Sequence, residues 1–230
     1  MDLLLCLAFW RKVHQYLGWV LVLLPIYWFA SGLVMSVLPI KEVRGEHLRK
    51  SFVAQDWSQA ICPAALAKQH SGHHLKLSQQ GAIPLCQFSK DEEQLYYSAL
   101  TGGSVVPLTE TQVKDLVRLQ YQGKAGIARI QQLQKAPFEV RDLTTPLWLV
   151  QFADEGDSSF YLEEYSGKLL SVRTNNWRLF DFVWMLHIMD YENRENFNHP
   201  LLAIFSASAL FITLSEALLL PWRRKKRTHS

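Results

Sequence analysis

Residues 94–106 read QLYYSALTGGSVV and residues 158–170 read SSFYLEEYSGKLL. Each stretch has an aromatic-rich strand, a Thr-Gly or Ser-Gly turn and a short apolar return strand. Tyr96 and Tyr97 precede Thr101-Gly102 in the first copy; Phe160 and Tyr161 precede Ser166-Gly167 in the second. Glycine supplies the positive φ that such tight turns need. The two copies make an internal repeat, and the rest of the central chain falls into place around it.

A helix is expected upstream of each copy. The first spans about Trp57 to Gln69, with Asp56 or Ser58 as cap, and the second spans about Glu110 to Gln122. Thr109 and Gln112 stand at capping-box spacing. Val113, Leu116, Val117 and Gln120-Tyr121 give the second helix one apolar face. Strands are expected at Leu75–Leu77 and Ile83–Phe88 in the first copy, and at Ile127–Leu133 and Leu147–Phe152 in the second. The result is an α+β layout of two helix-plus-antiparallel-sheet modules, residues 41–107 and 108–174.

The ends of the 230-residue chain differ from its middle. Mean hydropathy is near zero, yet the apolar residues concentrate toward the termini. From Val13 to Ile40 there is no Asp, Glu, Lys or Arg, and His14 is the one ionisable side chain. About 20 apolar residues cross a hydrocarbon core, so 13–40 is expected to be a transmembrane helix, and 200–221 a second. No small-x-small site follows the first stretch, which favours a retained anchor over a cleaved signal. Glu216 lies about one turn from the end of the second helix, within reach of Arg223, Arg224 or His14. Arg11 and Lys12 precede the first helix, and Arg223, Arg224, Lys225, Lys226 and Arg227 follow the second. The N-terminus (1–12) and basic tail (222–230) are therefore expected in the cytoplasm. The centre is then periplasmic if the envelope is that of a Gram-negative bacterium, with the bilayer of the inner membrane as a partner. The basic run adjoins an apolar helix, so it reads as an anchor flank and no nucleic-acid partner is expected.

Cys6 lies beside the first apolar helix, and Cys62 and Cys86 fall in the central region. The latter pair reads either as a disulfide of an oxidising compartment or as two small buried thiols. Without CxxC, neither a thioredoxin-like site nor a zinc knuckle is indicated. Residues 175–199 hold an apolar segment, Trp177 to Tyr191, too short to span a bilayer. Asn175 or Asn176 is expected to cap it and Asp181 to favour its dipole. Trp177, Phe180, Trp184 and His187 share one side, so an extra interfacial helix, or one packed beneath the central domain, is expected there.

The turns "YYSALTGG" and "FYLEEYSGK", with their helices, resemble PepSY modules, small α+β domains of the bacterial envelope. The segment "RKVHQYLGWVLVLLPIYWFASGL" resembles the opening helix of PepSY-associated transmembrane proteins, in which a basic residue, a His, an aromatic-Gly pair and a later Ser-Gly recur. "WRLFDFVWMLHIMDYENRENFNHPLL" resembles the family's segment entering the following helix. The resemblance covers nearly the whole chain. It implies a binding or regulatory protein, non-catalytic by itself, working with an envelope protein partner or as a homodimer.

Larger members bear haem in ferric-siderophore reductases, so the resemblance also implies an alternative. In it the chain is an electron-transfer subunit holding haem b, with His14 and His187 at motif-matching positions and His199 nearby; as a lone His on an apolar helix, His187 otherwise reads as a packed or hydrogen-bonded residue. In the expected topology His14 lies a bilayer thickness from His187 and His199, so His14 and His187 cannot share one haem. A four-helix arrangement would also be needed to enclose the macrocycle. No nucleotide-binding glycine fingerprint, HExxH or GxSxG is present, so no catalytic residue and no metal ligand is assigned. His70, His73 and His74 read as a solvated turn, lacking a nearby carboxylate or thiol.

Overall fold

The structure, a computed structural model, describes residues 25–50, 60–81, 83–91 and 93–227, with Lys12, Tyr16, Trp19, Leu23 and Ser58; side chains at 93, 212 and 215–227 fall outside that description. The chain divides into two compact units. One comprises residues 40–178; the other comprises the segments before and after it.

Within residues 40–178, the helices are α2 (Ile40–Val43), α3 (Ala64–Gln69), α4 (Glu110–Gln120) and the start of α5 (Asn175–Ile188). Strands β1 (His74–Gln80), β2 (Ile83–Lys90) and β3 (Glu93–Ser98) form an antiparallel sheet in that order. Strands β4 (Ile127–Leu133), β5 (Leu147–Phe152), β6 (Ser159–Glu163) and β7 (Leu169–Arg173) form a second antiparallel sheet. The α+β reading with two antiparallel sheets therefore holds.

The second module has the larger core. Side chains alternate along β5, so Trp148, Val150 and Phe152 face α4, where they join Val113, Val117 and Tyr121. Leu147 and Leu149 face the other way and pack with Val140 and Tyr161. With both faces covered, β5 reads as an apolar run. Helix α4 begins with the expected capping box: Gln112 N donates to Thr109 Oγ1 (3.4 Å), and Thr109 N donates to Gln112 Oε1 (2.8 Å).

The first sheet's core cluster is small, Cys86, Phe88 and Ala99, while Leu85 and Tyr96 are buried elsewhere on it. A disulfide joins Cys62 to Cys86 and fastens the α3 segment to β2. Small cores commonly rely on such a link. The helix expected from Trp57 begins only at Ala64, directly after Pro63. Proline lacks an N–H and clashes with the preceding turn, so it starts a helix and does not continue one. Asp56 and Trp57 lie outside the described residues.

The repeat is exact enough to show in its hydrogen bonds. Gly102 N donates to Ser98 O and Ser98 N to Gly103 O; Gly167 N donates to Glu163 O and Glu163 N to Lys168 O, each between 2.8 and 3.0 Å. Both glycines have positive φ, 72° and 66°. The copies diverge afterwards. The second return segment is β7, whereas the first makes a single bridge, Tyr97 with Ser104.

The other unit holds α1 (residues 25–37), the body of α5 and α6 (Pro200–Arg227). Among the described residues, no helix is long and apolar enough to cross a membrane. The two-helix transmembrane anchor is accordingly not supported, nor is the inner-membrane location with cytoplasmic ends and a periplasmic centre. Helix α1 ends before Pro39. Much of the segment before Pro25, and the side chain of Glu216, lie outside the described residues.

The interfacial role expected for Trp177–Tyr191 is corrected as well. Helix α5 starts earlier and is capped by Thr174, whose Oγ1 accepts from Trp177 N (3.2 Å). Its His187 ring lies on Trp28 of α1, so protein covers that face. Asp181 forms an ion pair with Arg194, beyond any dipole effect.

Candidate functional site

A cleft of about 980 Å³ opens between the two modules of residues 40–178. Lys76 through Gln79 of β1 line one wall, with Gln87, Gln94 and Tyr96 from the same sheet. Leu116, Leu119 and Gln120 of α4 form the opposite side with the β6–β7 turn, Glu163 to Lys168. The strand register explains the first wall: Lys76, Gln87 and Tyr96 are direct cross-strand partners, so they lie side by side on one face. On the opposite face, Leu75 and Leu77 pair with Phe88 and Cys86, toward the disulfide.

The cleft's acidic and phenolic groups hold one another. Tyr96 donates its O–H to Glu163 Oε1 (2.8 Å), while Glu163 Oε2 accepts from Ser166 N (2.7 Å). Gln87 Nε2 donates to the Tyr96 hydroxyl (3.0 Å). Tyr96 stacks on Tyr165 with ring centroids 4.7 Å apart. Burial raises the Tyr96 phenol well above its ordinary range, and the Glu163 charge adds to this. Tyr165 is raised too, by burial first and then by Glu164 and Glu163.

Glu164 is 8% exposed and accepts from Gln132 Nε2 (2.6 Å). Burial raises its carboxyl above the usual carboxylate value, opposed by the Gln132 hydrogen bond and assisted by the Glu163 charge. The cations behave differently: Lys50, Lys76 and Lys168 are exposed at the rim, and none forms an ion pair with a described residue. Gln120 donates through Nε2 to Gly167 O (3.0 Å) and Leu116 O (3.3 Å). Its buried Oε1 has no hydrogen-bond partner among the described residues.

The histidines expected as haem ligands are placed as follows. His14 lies outside the described residues. His187 is half-buried in the unit formed by the chain's ends, its ring stacked on the Trp28 indole at 4.8 Å and 10°. Ser31 Oγ donates to Trp28 O (2.8 Å) and lies 2.9 Å from His187 Nδ1, so its single proton is spent and the imidazole Nδ1–H donates to it. Trp28 Nε1 in turn donates to His187 O (3.1 Å).

A Cβ on Gly32 would come 3.2 Å from His187 Cε1, so the Ser31-Gly32 pair fits this ring closely. His199 precedes α6, where its carbonyl accepts from Ala203 N (3.2 Å). No group of three or more His, Cys, Asp or Glu able to hold a metal ion forms among the described residues. Among the described residues the haem-bearing reading therefore finds no support in a metal-binding group.

The His70–His73–His74 turn is more packed than expected. His70 Nε2 is 2.9 Å from the Tyr97 hydroxyl, and its ring lies against Phe88. A further network was not legible in the chain order. Tyr161 donates to Glu139 Oε1 (2.5 Å), Arg178 Nε donates to Glu139 Oε2 (3.0 Å), and Arg173 Nε donates to Glu139 O (2.7 Å). Positions separated by 22 to 39 residues share no periodic signal, so only folding brings them together. The same applies to Tyr96 with Glu163, although both lie in the repeated turns. In comparisons with known proteins, no family model, no curated sequence and no solved structure matches the chain.

Proposed function

We propose that this chain is a PepSY-type binding or regulatory module, non-catalytic by itself, which holds a protein partner in the cleft between its two sheets. The cleft carries the reading: it joins a row of polar side chains on one sheet to half-buried Leu116 and exposed Leu119 on α4. Leu119 is 70% exposed there, and a cavity near 1,000 Å³ is at the upper end for a small-ligand site. The groups that acid–base chemistry would recruit are committed to internal partners, Tyr96 to Glu163 and Glu164 to Gln132. A phenol raised above its ordinary range is a poor base at neutral pH.

The test places a photo-crosslinking residue at Leu119, in the full chain in its native cells, with Val106 as an exposed control outside the cleft lining. A discrete adduct specific to Leu119 is expected. An adduct of twice the chain mass would identify the partner as a second copy. The same nonspecific adducts at both positions would sink the reading.

A further inference from the structure

Among the described residues, strand β1 has a neighbour on one side only. Alternate N–H and C=O groups along its other side are consequently unpaired within the sheet. Four successive β1 residues, Lys76 to Gln79, line the cleft, although alternate ones belong to opposite faces of the sheet. Both sets reach the same space where the free edge of the strand borders it. The opposite edge is engaged differently: β3 already receives the return segment through the Tyr97–Ser104 bridge and Val105 N donating to Tyr96 O (2.9 Å).

Charge narrows the occupant. The carboxylates of Glu163 and Glu164 accept internal hydrogen bonds, and Asp142 stands exposed on the rim. Facing them are Lys50, Lys76 and Lys168, exposed and without an ion pair among the described residues. Among the exposed, unpaired charges of the rim the three lysines outnumber Asp142, so the charge that a ligand meets there is mainly cationic. Beside it Gln120 keeps a buried acceptor oxygen with no described partner. An extended backbone with its own N–H groups, carrying an acidic side chain, meets these conditions together.

We infer that the partner's bound element is an extended peptide segment with an acidic side chain, which adds to the free edge of β1 as a fourth strand. This deepens the proposed function and rests on it. Backbone pairing supplies the affinity; alternate side chains enter the cleft, an apolar one against Leu119 and an acidic one toward Lys76 and Lys168. The competing account is that Lys76 merely guards a bare edge against aggregation.

Fluorescence anisotropy with the full chain separates the two. The probes are a labelled ten-residue peptide alternating valine and glutamate, the same peptide with lysine for glutamate, and the glutamate peptide N-methylated at alternate backbone nitrogens. The glutamate peptide is expected to bind saturably. The lysine and N-methylated peptides are each expected to bind at least tenfold more weakly. A Lys76→Glu/Lys168→Glu double variant, changed only at exposed positions, should reverse the preference between the two charged peptides.

Absence of saturable binding by the glutamate peptide overturns the inference, as does equal binding by the N-methylated peptide. An unchanged preference in the double variant also overturns it. If the Leu119 crosslink yields a specific protein while the peptides fail, the strand mode falls and the partner reading stands. If the peptides behave as expected but Leu119 yields no specific adduct, the strand mode stands and the protein-partner reading falls.

Discussion

Gly167 adopts φ +66° at the turn that faces the cleft, and a Cβ there would come 2.7 Å from Leu116 Cδ1 and 3.0 Å from Leu108 Cδ1. The left-handed backbone alone costs an L-residue about 1–2 kcal/mol. Gly167→Ala should therefore destabilise residues 40–178 by about 2 kcal/mol, read as a lower denaturant midpoint at unchanged slope. Asp190 is the counterpart in the other unit. Its carboxylate accepts from the backbone N–H groups of Glu192, Asn193, Glu195 and Asn196, at 3.0 to 3.2 Å.

Those bonds, led by Asn196 and Glu195, hold its pKa down to about 2, from an ordinary 3.8. A depressed folded pKa means that the unfolded chain binds more protons in between, so stability rises with pH across that window. The contribution is full above about pH 4 and is lost as pH falls through about 2. Asp190→Asn should be less stable at pH 7 and should lack this acid-side loss, with circular dichroism melts at successive pH values as the check. Asp190 was not singled out from sequence, because its four donors follow it in an irregular loop that no periodicity marks.

At the scale of elements, local rules were legible wherever they acted alone. The Thr109–Gln112 box, the β4 and β5 boundaries and the two glycine turns follow from spacing and residue type. They failed where one residue overrode a trend: Pro63 truncates the first helix, and Thr174 takes the cap expected of Asn175 or Asn176. The pairing of Cys62 with Cys86 was one of two open readings, since sequence distance cannot report the approach of two side chains. Closing a loop of that length is worth about 3 kcal/mol in the unfolded-chain entropy account. A Cys62→Ser/Cys86→Ser variant should lose about that much in urea unfolding, and wild type with reductant should match it. Because the core beside the disulfide is small, β1 to β3 should lose amide-exchange protection more than β4 to β7.

For the whole molecule, the boundary between the two units falls inside α5, after Arg178. Arg178 belongs to residues 40–178, where it donates to Glu139, to Ser159 Oγ (3.0 Å) and to Asp157 O (3.0 Å). A fragment of residues 40–178 should unfold cooperatively, whereas one ending at Thr174 should be less stable by about 1.5–3 kcal/mol, the range for a hydrogen bond to a charged group. Equal midpoints for the two fragments would show that the Arg178 network contributes nothing. The membrane anchor was inferred from hydropathy along the chain; among the described residues, no helix meets the length and apolarity of a span.

By itself the sequence determined the α+β class, the strands of β4 and β5, the capped α4 and the glycine turns, because each depends on neighbours within a few positions. It also marked the Ser31-Gly32 pair and His187 without showing that they touch. Tertiary structure alone decided that the repeated turns differ in role: the second presents Glu163 to Tyr96 across the modules, while the first closes onto its own sheet. It likewise decided that, among the described residues, β1 keeps a free edge beside three exposed lysines. The physical reason is the same in each case. A turn or cap is a contest among a few adjacent dihedrals, whereas a cleft is made by residues up to about a hundred positions apart, and only packing brings them together.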